Sequence, residues 1–353
     1  MKNKFSLFLS FMLTVSVVYS QPVIIDSQIY SPQQLVTNVL IGGGIQVSNV
    51  VYTGSYAARG YFDATGSSFD TIMHTGIAMT NGSIINMGGP NNSSAITTNQ
   101  NLPGDSDLSA MISPCITYDA SVLEFDFIPQ SDSIQLRYVF GSEEYPEYVF
   151  SNFIDVFGFF LTGPDPSGGN YLHHNIALIP GTITPVSINT VNASINSNYY
   201  ISNGSGSTPN NEALQFDGYT KGIKAYAHVV PYSSYHIKLA VADAGDHVVD
   251  SGIFLQAGSF SSINQTPLVI NPVINNCSCY NGNDGSVSLT VTGGLTPYSY
   301  LWSNGATIDS ISGLTAGTYT VTVNSYFGPS VTKNVMITQP AQINVSISVT
   351  VTV

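Results

Sequence analysis

The chain has 353 residues, of which only 8% are Asp, Glu, Lys or Arg, and its formal net charge is −13 at pH 7. An average soluble protein has about 25% charged residues. The chain has eight basic residues and 21 acidic ones. This argues against binding to nucleic acids, which needs clustered Lys and Arg, and against binding to anionic membrane surfaces.

The N-terminus has the pattern of a signal peptide. Lys2 and Lys4 precede an apolar run over residues 5–18, and Val18-Tyr19-Ser20 offers a cleavage site before Gln21. The run is shorter than the ~20 apolar residues that a membrane span needs. We therefore expect residues 1–20 to be removed, which predicts a secreted or cell-surface protein with no transmembrane segment in its mature chain.

Residues 21–262 have the pattern of one large β-sandwich domain. Strands are predicted over residues 122–127, 134–140, 155–161, 235–241 and 252–260. Short strands separated by Gly, Pro and Asn turns are typical of an all-β protein, here with a jelly-roll-like sandwich. One short helix is predicted over residues 31–40, where Ser31-Pro32 resembles an N-cap followed by Pro at the first helical position.

A second, smaller β domain is predicted over residues 273–340, after a linker at 263–272. Asn283-Asp284-Gly285 is a hairpin signal, because Gly accepts a positive φ without a steric cost. Tyr319 follows a Gly turn and opens a Thr/Val strand, which resembles the tyrosine corner of immunoglobulin-like sandwiches.

The C-terminal segment and the cysteines leave alternatives open. Residues 341–353 have a strand pattern without a partner, so they are expected to begin a further strand or a truncated module. Cys115, Cys277 and Cys279 do not form a disulfide scaffold or a zinc site. One long-range bridge and simple burial of the thiols are both compatible with this spacing.

The second domain resembles the SprB-type repeat of Bacteroidetes surface adhesins. The residues that carry the resemblance are "CYNGNDGSVSLTVTGGLTPYSYLWSNGATIDSISGLTAGTYTVTV" (279–323) and "ITQP" (337–340). The resemblance implies a repeated unit of a surface-exposed stalk.

The first domain resembles the choice-of-anchor L domain of secreted Bacteroidetes proteins. The matching segments include "QQLVTNVLIGGGIQVSNVVYTGS" (33–55), "LEFDFIPQSDSIQLRYVFGSEEYPEYV" (123–149) and "DVFGFFLTGP" (155–164). The resemblance implies an exported protein, and it implies no particular chemistry.

Two acidic clusters lie in segments that leave an apolar strand and contain no Lys or Arg. The first is "YVFGSEEYPEYVF" (138–150) and the second is "VADAGDHVVDSGIFL" (241–255). Ca²⁺ takes six to eight oxygen ligands, and carboxylates gathered without a cation would repel one another. We therefore predict one or two Ca²⁺ sites with ligands drawn from Glu143, Glu144, Asp155, Asp243, Asp246 and Asp250. A turn at Gly141-Ser142 can bring both Glu side chains to one rim, and the alternative is a set of solvated loop acids.

Two function classes use these residues. In the first, the protein is an adhesin-type binding or structural module, stabilised by calcium, that recognises glycans or another surface and has no catalytic activity. In the second, Glu143 and Glu144 belong to an extracellular carbohydrate-active hydrolase. Retaining glycosidases hold their two carboxylates about 5 Å apart and inverting ones about 6.5–9.5 Å apart, so geometry and access distinguish the two classes.

Overall fold

The computed structural model describes residues 21–151, 154–204, 213–262, 267–294, 298–325 and 330–347. The predicted signal peptide lies outside the described residues. No helix in the described part of the chain is long and apolar enough to cross a membrane. The chain is nearly all β, which confirms the predicted fold class.

The described part of the large domain contains 14 strands. They are β1 Ile24–Asp26, β2 Ile45–Thr53, β3 Arg59–Asp63, β4 Thr75–Thr80, β5 Thr117–Pro129, β6 Ser133–Ser142, β7 Val156–Pro164, β8 Asn170–Asn175, β9 Tyr200–Ser202, β10 Gly218–Thr220, β11 Ile223–His228, β12 Tyr235–Ala244, β13 Ser251–Gln256 and β14 Ser261–Ser262. The alternating segments identified in the sequence overlap β5, β6, β7, β12 and β13, and the one predicted over residues 252–260 ends earlier, at Gln256.

These strands form two antiparallel sheets. Sheet one has the order β1-β3-β4-β13-β6-β10-β9, and β11 and β14 also pair with β6. Sheet two has the order β2-β5-β12-β7-β8. The strands whose ends carry the predicted site, β6 and β13 in sheet one and β7 and β12 in sheet two, therefore lie inside their sheets rather than at the edges.

The main core lies between the two sheets. Side chains that alternate along β6 face it, including Leu136, Tyr138 and Phe140, and they meet Phe157 and Phe159 from β7. Successive residues of a strand point to opposite faces. The faces of each sheet can therefore be followed to the strand ends, and "inner" below means the face toward this core.

The outer face of sheet one is also buried. Val139 and Phe254 point away from the main core and pack with Phe69, Met87 and Phe216 from the segments that cover this face. A smaller apolar cluster on the outer face of sheet two includes Leu108, from a short helix over Ser106–Met111. Strands buried on both faces explain why apolar residues run nearly without interruption in parts of β6 and β13.

The predicted helix forms, with a wider winding than a regular α-helix. Ser31 caps it in a capping box with Gln34, and Pro32 is the first helical residue. One α-helical turn, α1 Pro32–Gln34, continues as a π-helix over Leu35–Leu40. The other helical segments are α2 Ser106–Met111 and the 3-10 turns Tyr56–Ala58, Ser68–Thr71, Ile84–Met87 and Ser197–Tyr199.

The small domain is a sandwich of two three-stranded sheets with its own core. Its strands are β15 Val269–Asn275, β16 Gly285–Thr292, β17 Ser299–Trp302, β18 Ser310–Leu314, β19 Gly317–Asn324 and β20 Val331–Ile337. The sheet orders are β15-β16-β18 and β17-β19-β20. Trp302 lies in the core, and Tyr319 Oη donates to the Thr315 carbonyl at 3.2 Å, as a tyrosine corner requires.

Two segments differ from the sequence-based expectation. Strand β15 begins at Val269, inside the segment predicted as linker, because it pairs along its whole length with β16. Residues 341–347 form no strand, and 348–353 lie outside the described residues. Cys115, Cys277 and Cys279 are all free thiols, and the Cys277 thiol is buried.

Candidate functional site

Five of the six predicted acids are buried at one end of the large sandwich. Glu143 and Glu144 follow β6, Asp155 precedes β7, Asp243 is near the end of β12, and Asp250 precedes β13. Asp246, in the loop after β12, is half-buried. The two acidic segments of the sequence therefore meet in space, since antiparallel neighbours bring the end of one strand to the start of the next.

Four of these acids form an inner acidic cluster between the sheets: Glu144, Asp155, Asp243 and Asp246. The backbone N–H of Asp155 donates to both carboxylate oxygens of Glu144, at 3.0 and 2.9 Å. Asp155 comes two residues before the inward-facing Phe157 of β7, and Asp243 comes two residues after the inward-facing Val241 of β12. Both acids are almost completely buried. The cluster thus joins a loop of sheet one to two strands of sheet two.

Asn81, directly after β4 in sheet one, reaches across to the inner acidic cluster. Its Nδ2 donates to Asp155 Oδ2 at 2.7 Å and also to Asp243 Oδ1. Both carboxylates therefore approach the same amide nitrogen. Asn81 Oδ1 accepts from the backbone N–H of Ser251, which fixes the direction in which the amide points.

The inner acidic cluster is electrostatically unfavourable without a cation. Burial raises the pKa of Glu144, Asp155 and Asp243, and the neighbouring acids raise the pKa of each of them further. None of the salt bridges found in the described residues pairs one of these three acids with Lys, Arg or His. Repulsion among them is therefore reduced only by proton uptake or by a bound cation.

Glu143 and Glu144 do not share one rim, which corrects the expectation drawn from the Gly141-Ser142 turn. Glu144 belongs to the inner acidic cluster, whereas Glu143 continues the outward-facing residues of β6 and the acids whose charges act on it are Asp217 and Asp250. The strand alternation continues one residue past β6, and this separates the two carboxylates.

The surroundings of Glu143 are buried and acidic. Burial, with the charges of Asp217 and Asp250, raises the pKa of Glu143 to about 9. The nearby Gln215 amide lowers the pKa of Glu143 and offsets part of this rise. Its Nε2 donates to Asn91 Oδ1 and to the Ser93 carbonyl, and neither carboxylate oxygen of Glu143 has a hydrogen bond of normal geometry to a described residue. Burial also raises the pKa of Asp250 to about 6.

Sequence reasoning missed a buried acid and a histidine beside the inner acidic cluster. Asp119, His247 and Asp243 place ligand atoms within 4.8 Å of one another. Asp119 already accepts from the backbone N–H groups of Gln100 and Leu102 and pairs with His247 Nδ1 at 2.9 Å. Asp119 lies within the strand β5, 124 residues before Asp243 in the sequence, so no local pattern links the two acids. The pairing of β5 with β12 brings them together.

A groove of about 250 Å³ lies beside the loop that follows Glu144. Tyr145, Phe150, Asn192 and Tyr200 line it together with smaller residues. Tyr145 is buried, and its Oη donates to the Val191 carbonyl at 2.6 Å, while Phe150 is 63% exposed. The groove therefore has a fixed wall and an exposed aromatic side chain.

Two acids elsewhere on the large domain are paired with a lysine. Lys238 Nζ donates to Asp105 Oδ2 at 2.8 Å and to Asp107 Oδ2 at 2.7 Å. Asp105 also caps α2 by accepting from the backbone N–H groups of Asp107 and Leu108. The ion-paired acids of this surface contrast with the acids at the sandwich end.

Comparisons with known proteins agree with this two-domain architecture. The choice-of-anchor L domain family model matches residues 24–261, and the SprB repeat family model matches residues 271–307. Both families point to a cell-surface or secreted protein. No curated protein matches the chain.

Similarity to solved structures is weak. A polysaccharide lyase is 9% identical, with a TM-score of 0.16, and the match covers 64% of this chain and 34% of that one. A β-1,2-glucanase from Parabacteroides distasonis is 11% identical, with a TM-score of 0.15, and the match covers 72% of this chain and 40% of that one. The chain thus spans well under half the length of either enzyme, and neither likeness carries an argument about activity.

Proposed function

The chain belongs to the choice-of-anchor L domain family, and on this premise we propose that it is an adhesin-type surface-binding module stabilised by calcium. In this proposal the large sandwich recognises a glycan through loops at one end. The SprB repeat extends the module from the surface.

The observation that carries the proposal is the inner acidic cluster. Glu144, Asp155 and Asp243 are buried together and lack basic partners within the described residues, and Asp246 lies at the rim. Ca²⁺ prefers carboxylate oxygens supplied by loops and strand ends, with water or carbonyl groups completing six to eight ligands. A calcium ion bound by these four acids would turn their repulsion into attraction.

Calcium binding would support recognition by ordering the loop beside the groove. Glu144 belongs to the cluster, and Tyr145, the next residue, forms a wall of the groove. An exposed aromatic face can pack against the apolar face of a sugar ring, and Phe150 provides one in the groove. A loop that is ordered before binding loses less conformational entropy when the ligand arrives.

Burial favours binding over hydrolysis at Glu143 and Glu144. Glu143 is 1% exposed and Glu144 is 3% exposed, so neither carboxylate is accessible to a glycosidic bond in this structure. A glycosidase needs two carboxyl groups on either side of an accessible bond. The two Glu side chains also face different sets of neighbours.

Thermal unfolding with and without calcium tests the proposal. The mature chain should unfold at a higher temperature in CaCl₂ than in a chelator, and MgCl₂ should have a smaller effect because Mg²⁺ resists dehydration. Equal unfolding temperatures in CaCl₂ and in chelator would remove calcium from the proposal.

Glycan binding is tested separately, on an array of polysaccharides in the presence of calcium. The variant Phe150→Ala should lose binding, whereas Tyr232→Ala should retain it, since Tyr232 is exposed and does not line the groove. Array binding that survives Phe150→Ala would place recognition elsewhere.

A further inference from the structure

Four oxygen-bearing side chains stand in a row across the end of sheet one. They are Asp250, Glu143, Asp217 and Asn203, and we call them the outer oxygen row. Asp250 and Asp217 immediately precede β13 and β10, and Glu143 and Asn203 immediately follow β6 and β9. Asp217 and Asn203 belong to neither acidic segment that the sequence singled out.

The strand register places these residues side by side. Ser142 pairs with Ser251 on one side and with Gly218 on the other, and Gly218 pairs with Ser202. Each residue of the row lies one position beyond one of these paired residues, just outside its strand. Its pairing continues through two backbone hydrogen bonds, from Glu143 N–H to the Asp250 carbonyl at 3.2 Å and from Asn203 N–H to the Asp217 carbonyl at 2.8 Å.

The register also decides the face on which the row lies. Residues paired directly across neighbouring strands point to the same face, with Cβ atoms about 4.5–5.5 Å apart. Gly141, two residues before Glu143, pairs with Tyr219, and Tyr219 packs with Phe254 in the apolar cluster on the outer face of sheet one. The outer oxygen row therefore lies on the outer face of sheet one, and the inner acidic cluster lies on the opposite face.

Several oxygens of the row are buried without a hydrogen-bond partner in the described residues. They are both carboxylate oxygens of Glu143, Asp250 Oδ2 and Asn203 Oδ1. All four side chains of the row are at least 95% buried. A buried polar atom without a partner costs about 1–3 kcal/mol, and a charged one costs more, so a sandwich end built this way needs a ligand.

The surrounding amides are oriented so that oxygens remain in the row. Asn203 Nδ2 donates to the Leu214 and Phe216 carbonyls, at 3.0 and 2.8 Å, which leaves Oδ1 as the unused end of that amide. Asn91 Nδ2 donates to Asp217 Oδ1 at 2.8 Å and holds that carboxylate in place. Gly82 packs against the Asp250 carboxylate, and any larger residue at this position would collide with that carboxylate.

We propose that the outer oxygen row binds a second hard divalent cation of the calcium class, centred on its middle members Glu143 and Asp217 and separate from the ion proposed at the inner acidic cluster. Asp250 and Asn203 stand three strand spacings apart, so one ion contacts neighbouring members of the row and not both ends. Its side chains offer carboxylate and amide oxygens and no nitrogen or sulfur ligand, which selects Ca²⁺ over zinc-type metals. Water completes the coordination. The proposal uses a different set of oxygens from the inner site and does not depend on that site being occupied.

A shared proton between Glu143 and a neighbouring acid is the competing explanation. A proton would reduce the repulsion within one pair, and it would leave Asn203 Oδ1 and an oxygen of Asp250 without partners. Calcium stoichiometry separates the two explanations, because a protonated row binds no metal.

The test is equilibrium dialysis of the mature chain against CaCl₂ at pH 7.5, with bound calcium counted per chain. The wild type should bind two ions, and Asp217→Asn and Asp243→Asn should each bind one. Asp132→Asn, which changes an exposed acid outside both sites, should bind two. Circular dichroism confirms that each variant is folded, and Glu143→Gln replaces Asp217→Asn if that variant does not fold.

The outcomes separate this proposal from the proposed function. One ion in the wild type that is retained in Asp217→Asn and lost in Asp243→Asn would overturn the second site and leave the inner site standing. One ion lost in Asp217→Asn and retained in Asp243→Asn would support the row and contradict the inner site. No bound ion in the wild type would overturn both, and two ions that survive Asp217→Asn would exclude the row as the second site.

Discussion

At the scale of single residues, the acids of this chain fall into two groups that differ in their partners. Asp105 and Asp107 are paired with Lys238 and stabilise the native state as ions. Asp155 and Asp243 share the Asn81 amide and have no ion-pair partner in the described residues, so each destabilises the native state when it is ionised without a metal. The same side-chain chemistry therefore has opposite effects on stability in the two places.

The variant Asp243→Asn should change stability in opposite directions with and without calcium. In chelator it should be more stable than the wild type by about 1–3 kcal/mol, because one buried, repelled carboxylate is removed while the acceptor for Asn81 is kept. In saturating CaCl₂ it should be less stable, because a ligand is lost. Urea unfolding under both conditions measures this, with Asp132→Asn as the neutral control, and a shift of the same sign in both would contradict it.

The variant Lys238→Met should destabilise the large domain by about 2 kcal/mol at pH 7, since it leaves two carboxylates without their cation. Burial raises the pKa of Asp107, but the hydrogen bonds and charges of Lys238 and, to a smaller extent, His173 outweigh it and lower the pKa overall. A lowered folded pKa gives stability that is present above the unfolded value and is lost as pH falls.

The difference between Lys238→Met and the wild type should therefore shrink when urea unfolding is repeated near pH 3, below the usual pKa of Asp in an unfolded chain, where proton uptake by the unfolded state removes part of this stabilisation. Lys221→Met, at an exposed lysine, should match the wild type at both pH values. A loss of stability independent of pH would assign the effect to packing of the lysine stem instead.

At the scale of secondary-structure elements, periodicity predicts the strands well and the site only in part. Alternation located β5, β6, β7, β12 and β13, because each has one face in the main core. The start of the first helix follows from Ser31 and Pro32, but its π-helical winding does not, since capping residues specify where a helix begins and not its pitch.

Some acids at strand ends could be recognised from sequence, whereas Asp217 and the two amide side chains of the sites could not. Glu144 and Asp243 stand next to apolar strands, and this is a local signal. Asn81, Asp217 and Asn203 reach the site through cross-strand pairing between distant segments. Strand register depends on tertiary contacts that a single sequence does not display.

The tyrosine corner of the small domain yields a prediction at this scale. The variant Tyr319→Phe should lower the free energy of unfolding of the SprB repeat by about 1 kcal/mol, the usual net value of one hydrogen bond, since only the contact of Oη with the Thr315 carbonyl is lost. Tyr280→Phe, at an exposed tyrosine of the same repeat, should have no effect. Thermal unfolding of both variants in the full chain compares them, and equal stabilities would show that the corner does not stabilise the repeat.

At the scale of the whole molecule, the chain contains separate cores with different sources of stability. The core of the SprB repeat is built only from residues after 267, and it shares no member with the cores of the large sandwich. The candidate cation ligands all lie in the large sandwich. Asp284 of the repeat instead caps a turn by accepting from the backbone N–H of Ser278. The two parts should therefore respond differently to the same ion.

Calorimetry of the mature chain should show two unfolding transitions, of which calcium moves only the larger. A ligand at about 100 times its dissociation constant adds about 2.7 kcal/mol to the state that binds it. For a domain of this size that free energy corresponds to an increase of about 5–10 °C in the unfolding temperature. The transition of the SprB repeat, identified by its response to Tyr319→Phe, should stay within experimental error in chelator and in CaCl₂. If calcium raised both transitions together, the two cores would unfold as one cooperative unit, and the assignment of calcium-dependent stability to the large sandwich alone would be wrong.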